Sequence, residues 1–336
     1  MMRLSIIIPV YNVAEYIEKC VYSLLKQDIP TEEYEIIIIN DGSPDNSREV
    51  VMDLMKTVSN IVFIDQENGG VSMARNAGIG KAKGEFILPV DPDDYVLPNT
   101  LRNNLEYAEK NNLDVLYLSF EILNTAGKPV WHTDYAIQEK QVYRGVEGYF
   151  AGRGKGIRDP DRSWAILYRK AMLDQFGITY PKDVAYLEDG IFLAKIFAVA
   201  HQAGFSNRPF YQRTTRPGSA TNSDLFFSEK AVSGFLQGIT NLENFEAAQH
   251  VNQSGKLLLN HVKAKFLILP LGSCIGSNKK TEYKKLVTRL KELGHKKINT
   301  EGLRLGYKTL ATVYNFSPAL FYYFFPVSQK MKHLIA

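Results

Sequence analysis

Residues 4–12 read LSIIIPVYN, and residues 34–43 read YEIIIINDGS. In each stretch an unbroken apolar run ends in polar and turn-forming residues. A continuous run of β-branched and aliphatic residues is typical of a strand buried on both faces, as in a parallel sheet covered by helices. The two stretches therefore predict the first two strands of an α/β domain.

The rest of the first half alternates strand and helix patterns. Ile61–Ile64 and Glu85–Val90 predict two more strands. Apolar residues recur with helical spacing in Val13–Gln27 and Ser72–Lys81, which lie between the strands. The alternation predicts a doubly wound α/β domain with a mainly parallel sheet and helices on both faces.

The pattern changes after residue 112. Leu113–Gln141 predicts longer, partly antiparallel strands, and Phe205–Gln212 predicts one more strand; Ser163–Gln175 and Gly190–Ala203 have helical patterns. From Leu225 onward the chain has helical patterns interrupted by Gly272, Gly276, Gly294 and Pro318. We therefore expect a first domain over residues 1–222, with halves at 1–112 and 113–222, and a helical C-terminal region over 223–336.

Composition excludes several protein classes. The chain has 336 residues, of which 45% are hydrophobic and 23% charged, and these values exclude a mainly disordered, collagen-like or coiled-coil protein. Cys20 and Cys274 are too few for a disulfide framework or a cysteine-based zinc site, and they favour a reducing compartment. We recognise no secretory signal and no apolar run of about 18 residues, so we expect no simple transmembrane helix.

The charge is distributed unevenly. The net charge is +4, but residues 255–336 carry 15 Lys and Arg against three Glu and no Asp, a charge of +12, which leaves −8 on the remainder. Residues 316–326 of this basic tail read FSPALFYYFFP. Aromatic rings beside lysines suit a bilayer interface and predict peripheral membrane binding. Aromatics that cap the first domain beside solvated lysines are the alternative, and no nucleic-acid motif accompanies the charge.

Polar clusters follow three of the predicted strands. Residues 9–12 read PVYN, residues 40–43 read NDGS, and residues 91–94 read DPDD. Ligands of open parallel sheets bind beyond the carboxyl ends of the strands. A turn would explain any one cluster, but three clusters in this order predict a single ligand-binding crevice.

The residues 91–94 carry three carboxylates, which repel one another. A hard divalent cation removes this repulsion, and Mg²⁺ or Mn²⁺ commonly bridges carboxylates to a diphosphate. We therefore expect Asp93 and Asp91 to bind a metal, whereas Asp94 also suits a helix N-terminus. The chain has no P-loop, and Gly78-Ile79-Gly80-Lys81 follows a helix pattern instead of the first strand, which excludes a dinucleotide loop.

Four segments together resemble glycosyltransferase family 2 with the GT-A nucleotide-diphospho-sugar transferase fold: SIIIPVYN at 5–12, NDGS at 40–43, GGVSMARN at 69–76 and DPDD at 91–94. The resemblance covers roughly residues 2–220, and the remaining residues match nothing that we can place. It makes 1–112 the nucleotide-binding half and 113–222 the acceptor half. Asn40 and Pro92 depart from the family pattern, which often has Asp and a small residue there.

The resemblance implies roles for residues of the first half. Pro9, Tyr11 and Asp41 would hold the nucleotide base, with Asp41 accepting a hydrogen bond from uracil N3–H. Arg75 would lie near the diphosphate or the carboxylates. Asp91 would contact the ribose or the metal.

In the second half, YLEDG at 186–190 resembles the acidic pair of the family. The resemblance makes Asp189, after Glu188, the general base, since a sugar hydroxyl is a poor nucleophile and needs a carboxylate to take its proton. A single base opposite a metal-held leaving group implies inversion, because retention would need a second, closely spaced carboxylate. A helix cap is the alternative for this pair.

Two further segments resemble family features. Trp164 precedes a Tyr-Arg pair and would be an aromatic platform for the acceptor sugar, with a core position as the alternative. RTTRPGS at 213–219 resembles a loop that closes over the diphosphate, through Arg213, Arg216 and Ser219. A solvated loop is the alternative for this segment.

These implications predict a metal-dependent, inverting glycosyltransferase that moves a sugar from a nucleotide-diphosphate donor, UDP-linked, to a hydroxyl of a glycan. The resemblance further implies bacterial cell-surface polysaccharide synthesis on a lipid-linked acceptor, at the cytoplasmic face of the cell membrane. A non-catalytic protein that binds nucleotide sugars or glycans is one alternative. A sugar nucleotidyltransferase is another, but it would need a Gly-rich basic loop where PVYN stands.

Overall fold

The computed structural model describes residues 1–154, 156–184, 186–215, 226 and 228–335, the last seven by their backbone alone. The chain divides into two compact units. One unit comprises Met1–Lys182 and Val199–Ser219, and the other comprises Asp183–Ala198 and Ala220–Ala336. A helix that precedes residue 222 in sequence, Glu188–Val199, therefore groups mainly with the C-terminal helices.

The first unit contains a ten-stranded sheet in the part of the chain that the structure describes. Its strands are β1 (Leu4–Val10), β2 (Tyr34–Asp41), β3 (Ile61–Gln66), β4 (Phe86–Pro89), β5 (Tyr95–Val96), β6 (Val115–Leu123), β7 (Pro129–His132), β8 (Tyr143–Arg144), β9 (Ile166–Arg169) and β10 (Gln202–Arg213). Their order is β3-β2-β1-β4-β9-β6-β10-β5, with β7 beside β6 and β8 beside β10.

The predicted parallel sheet is confirmed in the first half. Every residue of β1 and β2 is buried, as expected for strands covered on both faces. β1 pairs in parallel with β2 and β4, and β2 pairs in parallel with β3. The helices of this unit are α1 (Ala14–Leu24), α2 (Ser47–Leu54), α3 (Val71–Lys81), α4 (Leu101–Lys110), α5 (Gly145–Ala151) and α6 (Lys170–Gln175).

The helix predicted over 163–175 is wrong in its first half. Ile166–Arg169 forms β9, which lies between β4 and β6 and is antiparallel to both. Ile166 and Leu167 are fully buried there. A short apolar run has no periodicity that separates a buried strand from a buried helix, so its pairing partners decided the outcome.

The second unit consists of helices. They are α7 (Glu188–Val199), α8 (Glu229–Ala248), α9 (Gln253–Gly276), α10 (Lys280–Glu292), α11 (Leu305–Phe316) and α12 (Pro318–Ile335). Among the described residues α9 is long and apolar enough to cross a membrane, and 72% of its apolar window is buried within the protein. Gly272 lies within α9 and does not interrupt it. A Cβ at this position would clash with the Phe325 ring of α12, so close helix packing accounts for the glycine.

A buried lysine makes the second unit sensitive to pH. Lys195 of α7 is 4% exposed, and burial lowers the pKa of its ammonium group to about 8. Below pH 8 the folded state carries a buried charge, and between pH 8 and the ordinary lysine pKa of 10.5 it loses that charge while the unfolded state keeps it. Stability should therefore rise with pH across this interval.

We expect Lys195→Met to raise the free energy of unfolding at pH 7 by about 2–3 kcal/mol. The gain should shrink above pH 8, because the wild-type lysine is then neutral in the folded state. Guanidinium unfolding at pH 7 and pH 9.5 would measure both values, with Lys256→Met on the exposed face of α9 as the control. A less stable variant at pH 7 would show that contacts of the ammonium group outweigh its burial.

Candidate functional site

The sequence-predicted clusters of the first half lie at the carboxyl edge of the parallel strands. Tyr11 follows β1, residues 40–43 span the end of β2 and the Asp91–Asp94 loop follows β4, and these three strands are neighbours. Ser43 donates from Oγ to the carbonyl of Val10 at 3.3 Å, which ties two of the clusters together. This edge of the sheet is the candidate site of the first unit.

The segment after β1 is shaped by an unusual backbone conformation. Pro9 lies within β1, where it pairs in register with Ile39. Asn12 adopts a left-handed φ of 54°, which is uncommon for a residue other than glycine. Tyr11, just before it, is 51% exposed. An exposed aromatic ring at a sheet edge suits stacking on a nucleotide base.

Asp41 organises the turn that leads into α3. Its side chain is buried, and its Oδ1 accepts hydrogen bonds from Gln66 Nε2 at 2.7 Å and from the backbone N–H of Gly69 at 2.9 Å. Its Oδ2 accepts from the backbone N–H of Gly70 at 2.8 Å. A carboxylate offers about four acceptor positions. Asp41 therefore holds the glycine turn and retains capacity for one further donor.

Gly70 makes this turn possible, because its φ of 83° lies in a region that side chains disfavour. α3 begins at the next residue and contributes Arg75 to the site. Arg75 is only 4% exposed, and its Nη2 lies 2.9 Å from Asp91 Oδ1. Its guanidinium also lies 5.2 Å from the ring centroid of Tyr180. The glycine turn thereby positions a buried cation against the first carboxylate of the acid loop.

The acid loop, residues 91–94, is braced from β10. Tyr211 donates from its hydroxyl to Asp94 Oδ2 at 2.7 Å and accepts from the backbone N–H of Asp91 at 3.1 Å. Thr214 donates from its backbone N–H to Asp94 Oδ1 and from its hydroxyl to the carbonyl of Asp93, both at 2.7 Å. Sequence reasoning missed both braces, since more than a hundred residues separate them from the loop. No local pattern signals such a pairing.

Burial raises the pKa of Asp94 well above its ordinary value, and the negative charges of Asp91 and Asp93 raise it further. Tyr211 and Thr214 engage the carboxylate of Asp94, so its role is to hold the loop. Asp91 and Asp93 are less buried and present hard oxygen donors.

A divalent cation such as Mg²⁺ or Mn²⁺ needs oxygen ligands and negative charge that balances its own. Among the residues that the structure describes, no group of three or more His, Cys, Asp or Glu side chains is arranged to hold a metal ion. The donor chemistry nevertheless fits Mg²⁺ or Mn²⁺, because two carboxylates and their mutual repulsion favour a hard cation. Asp91 and Asp93 would supply the protein ligands, and substrate phosphates commonly supply others.

A groove of about 470 Å³ opens beside Asp93. We call it the Asp93 groove. Its lining residues come from α1, the acid loop, the β6–β7 hairpin and the end of β10, and are Glu15, Tyr16, Lys19, Asp93, Asp94, Leu123, Asn124, Thr125, Gly127, Thr214 and Thr215. The sequence did not predict this groove, because it joins four segments that are distant along the chain. Its hydroxyl, amide and charged groups suit a polyhydroxylated ligand.

Trp164 is not an open sugar platform. It is 6% exposed, its ring stacks on Tyr211 with centroids 4.8 Å apart, and Phe120 meets it edge-on at 4.8 Å. A platform needs an exposed ring face, so the prediction of a platform is corrected in favour of the core alternative. Through Tyr211 the ring supports the brace of the acid loop.

Of the three predicted loop residues, the structure describes one. Arg213 ends β10, and its Nη1 lies 3.3 Å from Asp159 Oδ2. Asp159 also has a left-handed φ of 45°. Arg216 and Ser219 lie outside the described residues.

Glu188 and Asp189 lie in the second unit, where they form the first turn of α7. Both are half-buried. Leu187 precedes them with a left-handed φ of 61°, and its carbonyl accepts from the N–H of Gly190 at 3.0 Å. A branched residue in this conformation costs about 1–3 kcal/mol, and such strain is concentrated at functional sites. The strained residue sets the direction in which the acidic pair enters the helix.

Comparisons with known proteins bear on this site. The sequence model described as Glycosyl transferase family 2 matches residues 5–174. The chain is 32% identical over 221 residues to the uncharacterized glycosyltransferase EpsJ of Bacillus subtilis (strain 168), over 65% of this chain and 62% of EpsJ. It is 28% identical over 225 residues to the poly(ribitol-phosphate) beta-N-acetylglucosaminyltransferase TarS of Staphylococcus aureus (strain Mu50 / ATCC 700699), over 66% of this chain and 37% of TarS. The chain thus spans less than two thirds of the length of either relative.

Solved structures resemble the chain over nearly its whole length. Residues 1–349 of S. aureus TarS, in complex with UDP-GlcNAc, match with a TM-score of 0.70 at 20% identity, over 99% of this chain and 92% of that chain. The mannosyltransferase PcManGT from Pyrobaculum calidifontis, in complex with GDP-Man and Mn²⁺, matches with a TM-score of 0.52 at 15% identity, over 99% of this chain and 87% of that chain. At these identities the likeness shows a common fold.

Proposed function

The chain belongs to glycosyltransferase family 2, and from that premise we propose that it is a metal-dependent, inverting enzyme that moves a sugar from a UDP-linked donor to a hydroxyl of a glycan. It is a nucleotide-sugar glycosyltransferase with the GT-A fold and a C-terminal helical extension. One observation carries the proposal. The turn held by Asp41, the Arg75–Asp91 pair and the braced acid loop meet at one edge of the sheet.

The nucleotide occupies the half of this edge formed by β1, β2 and α3. Tyr11 offers an exposed ring for the base, and Pro9 fixes the backbone before it. Asp41 uses its remaining acceptor capacity for uracil N3–H. The complexes of TarS with UDP-GlcNAc and UDP support uracil as the base.

The diphosphate lies at the acid loop. Asp91 and Asp93 would hold a divalent cation, Arg75 orients Asp91, and Arg213 contributes charge from the end of β10. When bound, Mn²⁺ or Mg²⁺ would supply positive charge against the charge of the leaving diphosphate. The Mn²⁺ in the PcManGT complex supports divalent-metal use in this fold. We extend the diphosphate contacts to Arg216 and Ser219, which follow Arg213 in the chain.

The acceptor hydroxyl is deprotonated by Asp189, with Glu188 beside it in the first turn of α7. The Asp93 groove provides the polar surface for an acceptor sugar next to the acid loop. Attack by the deprotonated hydroxyl on the anomeric carbon, opposite the leaving diphosphate, inverts the configuration.

The acceptor that we propose is a lipid-linked glycan for cell-surface polysaccharide, elongated at the inner face of a bacterial membrane. The bacterial glycosyltransferases among the relatives support this setting. Under this proposal residues 1–222 form the catalytic domain, and residues 223–336 bring it to the membrane.

UDP binding measured by calorimetry, with and without Mn²⁺, tests the nucleotide and metal assignments together. We expect Mn²⁺ to raise the UDP affinity of the wild-type protein. In the presence of Mn²⁺, Asp93→Ala should bind UDP at least about tenfold more weakly than wild type, a difference of ~1.4 kcal/mol. Asp53→Ala, on the exposed surface of α2, is the matched control and should bind as wild type. Tight UDP binding that ignores Mn²⁺ would refute metal dependence. No binding in either condition would refute uracil as the base.

A further inference from the structure

Helix α12 exposes an apolar stripe, which consists of Ala319, Leu320, Tyr323, Pro326 and Val327. The spacing of these residues places them on one helical face. Leu320 is 47% exposed, Tyr323 63% and Val327 53%, and Phe316, just before the helix, is 83% exposed. Exposed large apolar residues in such a row mark an interaction surface.

The opposite face of α12 is fixed to the second unit. Phe321 is fully buried, and Phe325 packs onto α9 at Gly272. Tyr283 of α10 donates from its hydroxyl to the carbonyl of Pro318 at 2.6 Å, and its ring meets that of Tyr322 with centroids 5.1 Å apart. These contacts fix the orientation of α12 about its own axis, so that its apolar stripe faces outward.

Lys280 lies beside the apolar stripe and belongs to a strongly basic segment. The Nζ of Lys280 is 3.3 Å from the hydroxyl of Tyr323 and 5.7 Å from its ring centroid. Residues 279–328 contain ten Lys and Arg against three Glu and no Asp, a formal charge of +7. Lys284 and Lys285 of α10 are exposed. The partner of this surface is thus both apolar and negatively charged.

We propose that the apolar stripe and the lysines beside it dock the second unit on an anionic lipid bilayer. An interfacial helix inserts apolar and aromatic side chains at headgroup depth while its basic neighbours meet anionic headgroups. This docking surface rests on the proposed function in one respect, since it would bring the enzyme to its lipid-linked acceptor. Its evidence, from α10 and α12, is independent of the catalytic residues.

A second copy of the chain fits this surface less well. Symmetric pairing would bring together two copies of a segment whose formal charge is +7, and like charges across an interface are costly. A stripe about 12 Å long, from the eight helical steps between Ala319 and Val327, also offers little of the roughly 800 Å² that each partner of a stable dimer buries. An anionic bilayer satisfies both the apolar and the charged component.

Flotation of the full chain with vesicles tests the proposal. We expect wild-type protein to float with vesicles that contain phosphatidylglycerol and to bind pure phosphatidylcholine vesicles at least about tenfold more weakly. Leu320→Ser combined with Tyr323→Ser should weaken binding to anionic vesicles at least about tenfold. Ile137→Ser, which removes an exposed apolar side chain of the first unit, is the matched control.

A charge variant separates the two components. Lys284→Gln with Lys285→Gln should weaken binding to anionic vesicles but leave binding to phosphatidylcholine unchanged, whereas Lys56→Gln in the turn after α2 should change neither. UDP affinity should stay at the wild-type value in all variants, so a failure of the catalytic proposal would appear separately. Wild-type binding by the stripe variant would overturn the proposal. So would a wild-type dimer in light scattering that the stripe variant dissociates without any vesicle binding.

Discussion

Asp189→Asn should lower the kcat for sugar transfer by about 10²–10⁴-fold, the contribution typical of a general base. Asn keeps the shape of the side chain but cannot take the proton of the acceptor hydroxyl. The substitution removes one negative charge from the first turn of α7, which costs about 0.3–1 kcal/mol of stability. The variant should therefore fold, and steady-state kinetics with a UDP-sugar should show the loss in kcat.

UDP affinity distinguishes a loss of catalysis in Asp189→Asn from a loss of nucleotide binding. It should remain within about twofold of the wild-type value, because Asp189 acts on the acceptor and makes no contact with the nucleotide under this mechanism. Asp183→Asn removes an exposed carboxylate nearby in the chain and should leave kcat unchanged. Wild-type turnover by Asp189→Asn would remove this residue from the mechanism. Nucleotide binding by wild-type protein without any transfer would favour the non-catalytic alternative.

The parallel strands could be predicted from sequence because burial on both faces leaves a direct signature. Ile36–Ile39 and Ile6–Ile8 are aliphatic at every position, since each side of β1 and β2 meets a buried layer. Their polar ends then predict the ligand edge, because parallel strands end together. The match to the family model and the sheet of the structure confirm the predicted family and fold, whereas the roles of individual site residues stay predictions.

Contacts between distant segments could not be predicted in the same way. Tyr211 donates a hydrogen bond to Asp94, which is 117 positions away in the sequence. Nothing in the sequence around either residue indicates that the two are in contact. The burial of Trp164 depends on the same tyrosine, because the ring of Tyr211 stacks on the ring of Trp164 and covers it. A single sequence specifies which residues are apolar, but the topology of the sheet determines which apolar faces are covered.

The largest effect on nucleotide binding should come from Asp41→Asn. Asp41 accepts from Gln66, Gly69 and Gly70 through both oxygens of a carboxylate that is 2% exposed. An Asn side chain turns one of these acceptors into an NH₂ donor, which faces an N–H group of the protein whichever way the amide is oriented. A buried N–H is left unsatisfied, and the remaining bonds lose the strength that the negative charge gives them.

We expect Asp41→Asn to lower the free energy of unfolding by about 2–4 kcal/mol and to weaken UDP binding by about 30- to 100-fold. Asp65→Asn is the matched control at the end of the neighbouring strand β3, because Asp65 is exposed and accepts from Arg48 at the surface through one oxygen. Its other oxygen accepts from Asn40 Nδ2 at 2.7 Å, a bond that the amide oxygen of Asn can keep. Asp65→Asn should lower the free energy of unfolding by at most about 1 kcal/mol and leave the UDP affinity unchanged. Chemical unfolding and calorimetry would measure the two quantities. A destabilised variant with wild-type UDP affinity would show that Asp41 only braces the glycine turn and makes no contact with the base.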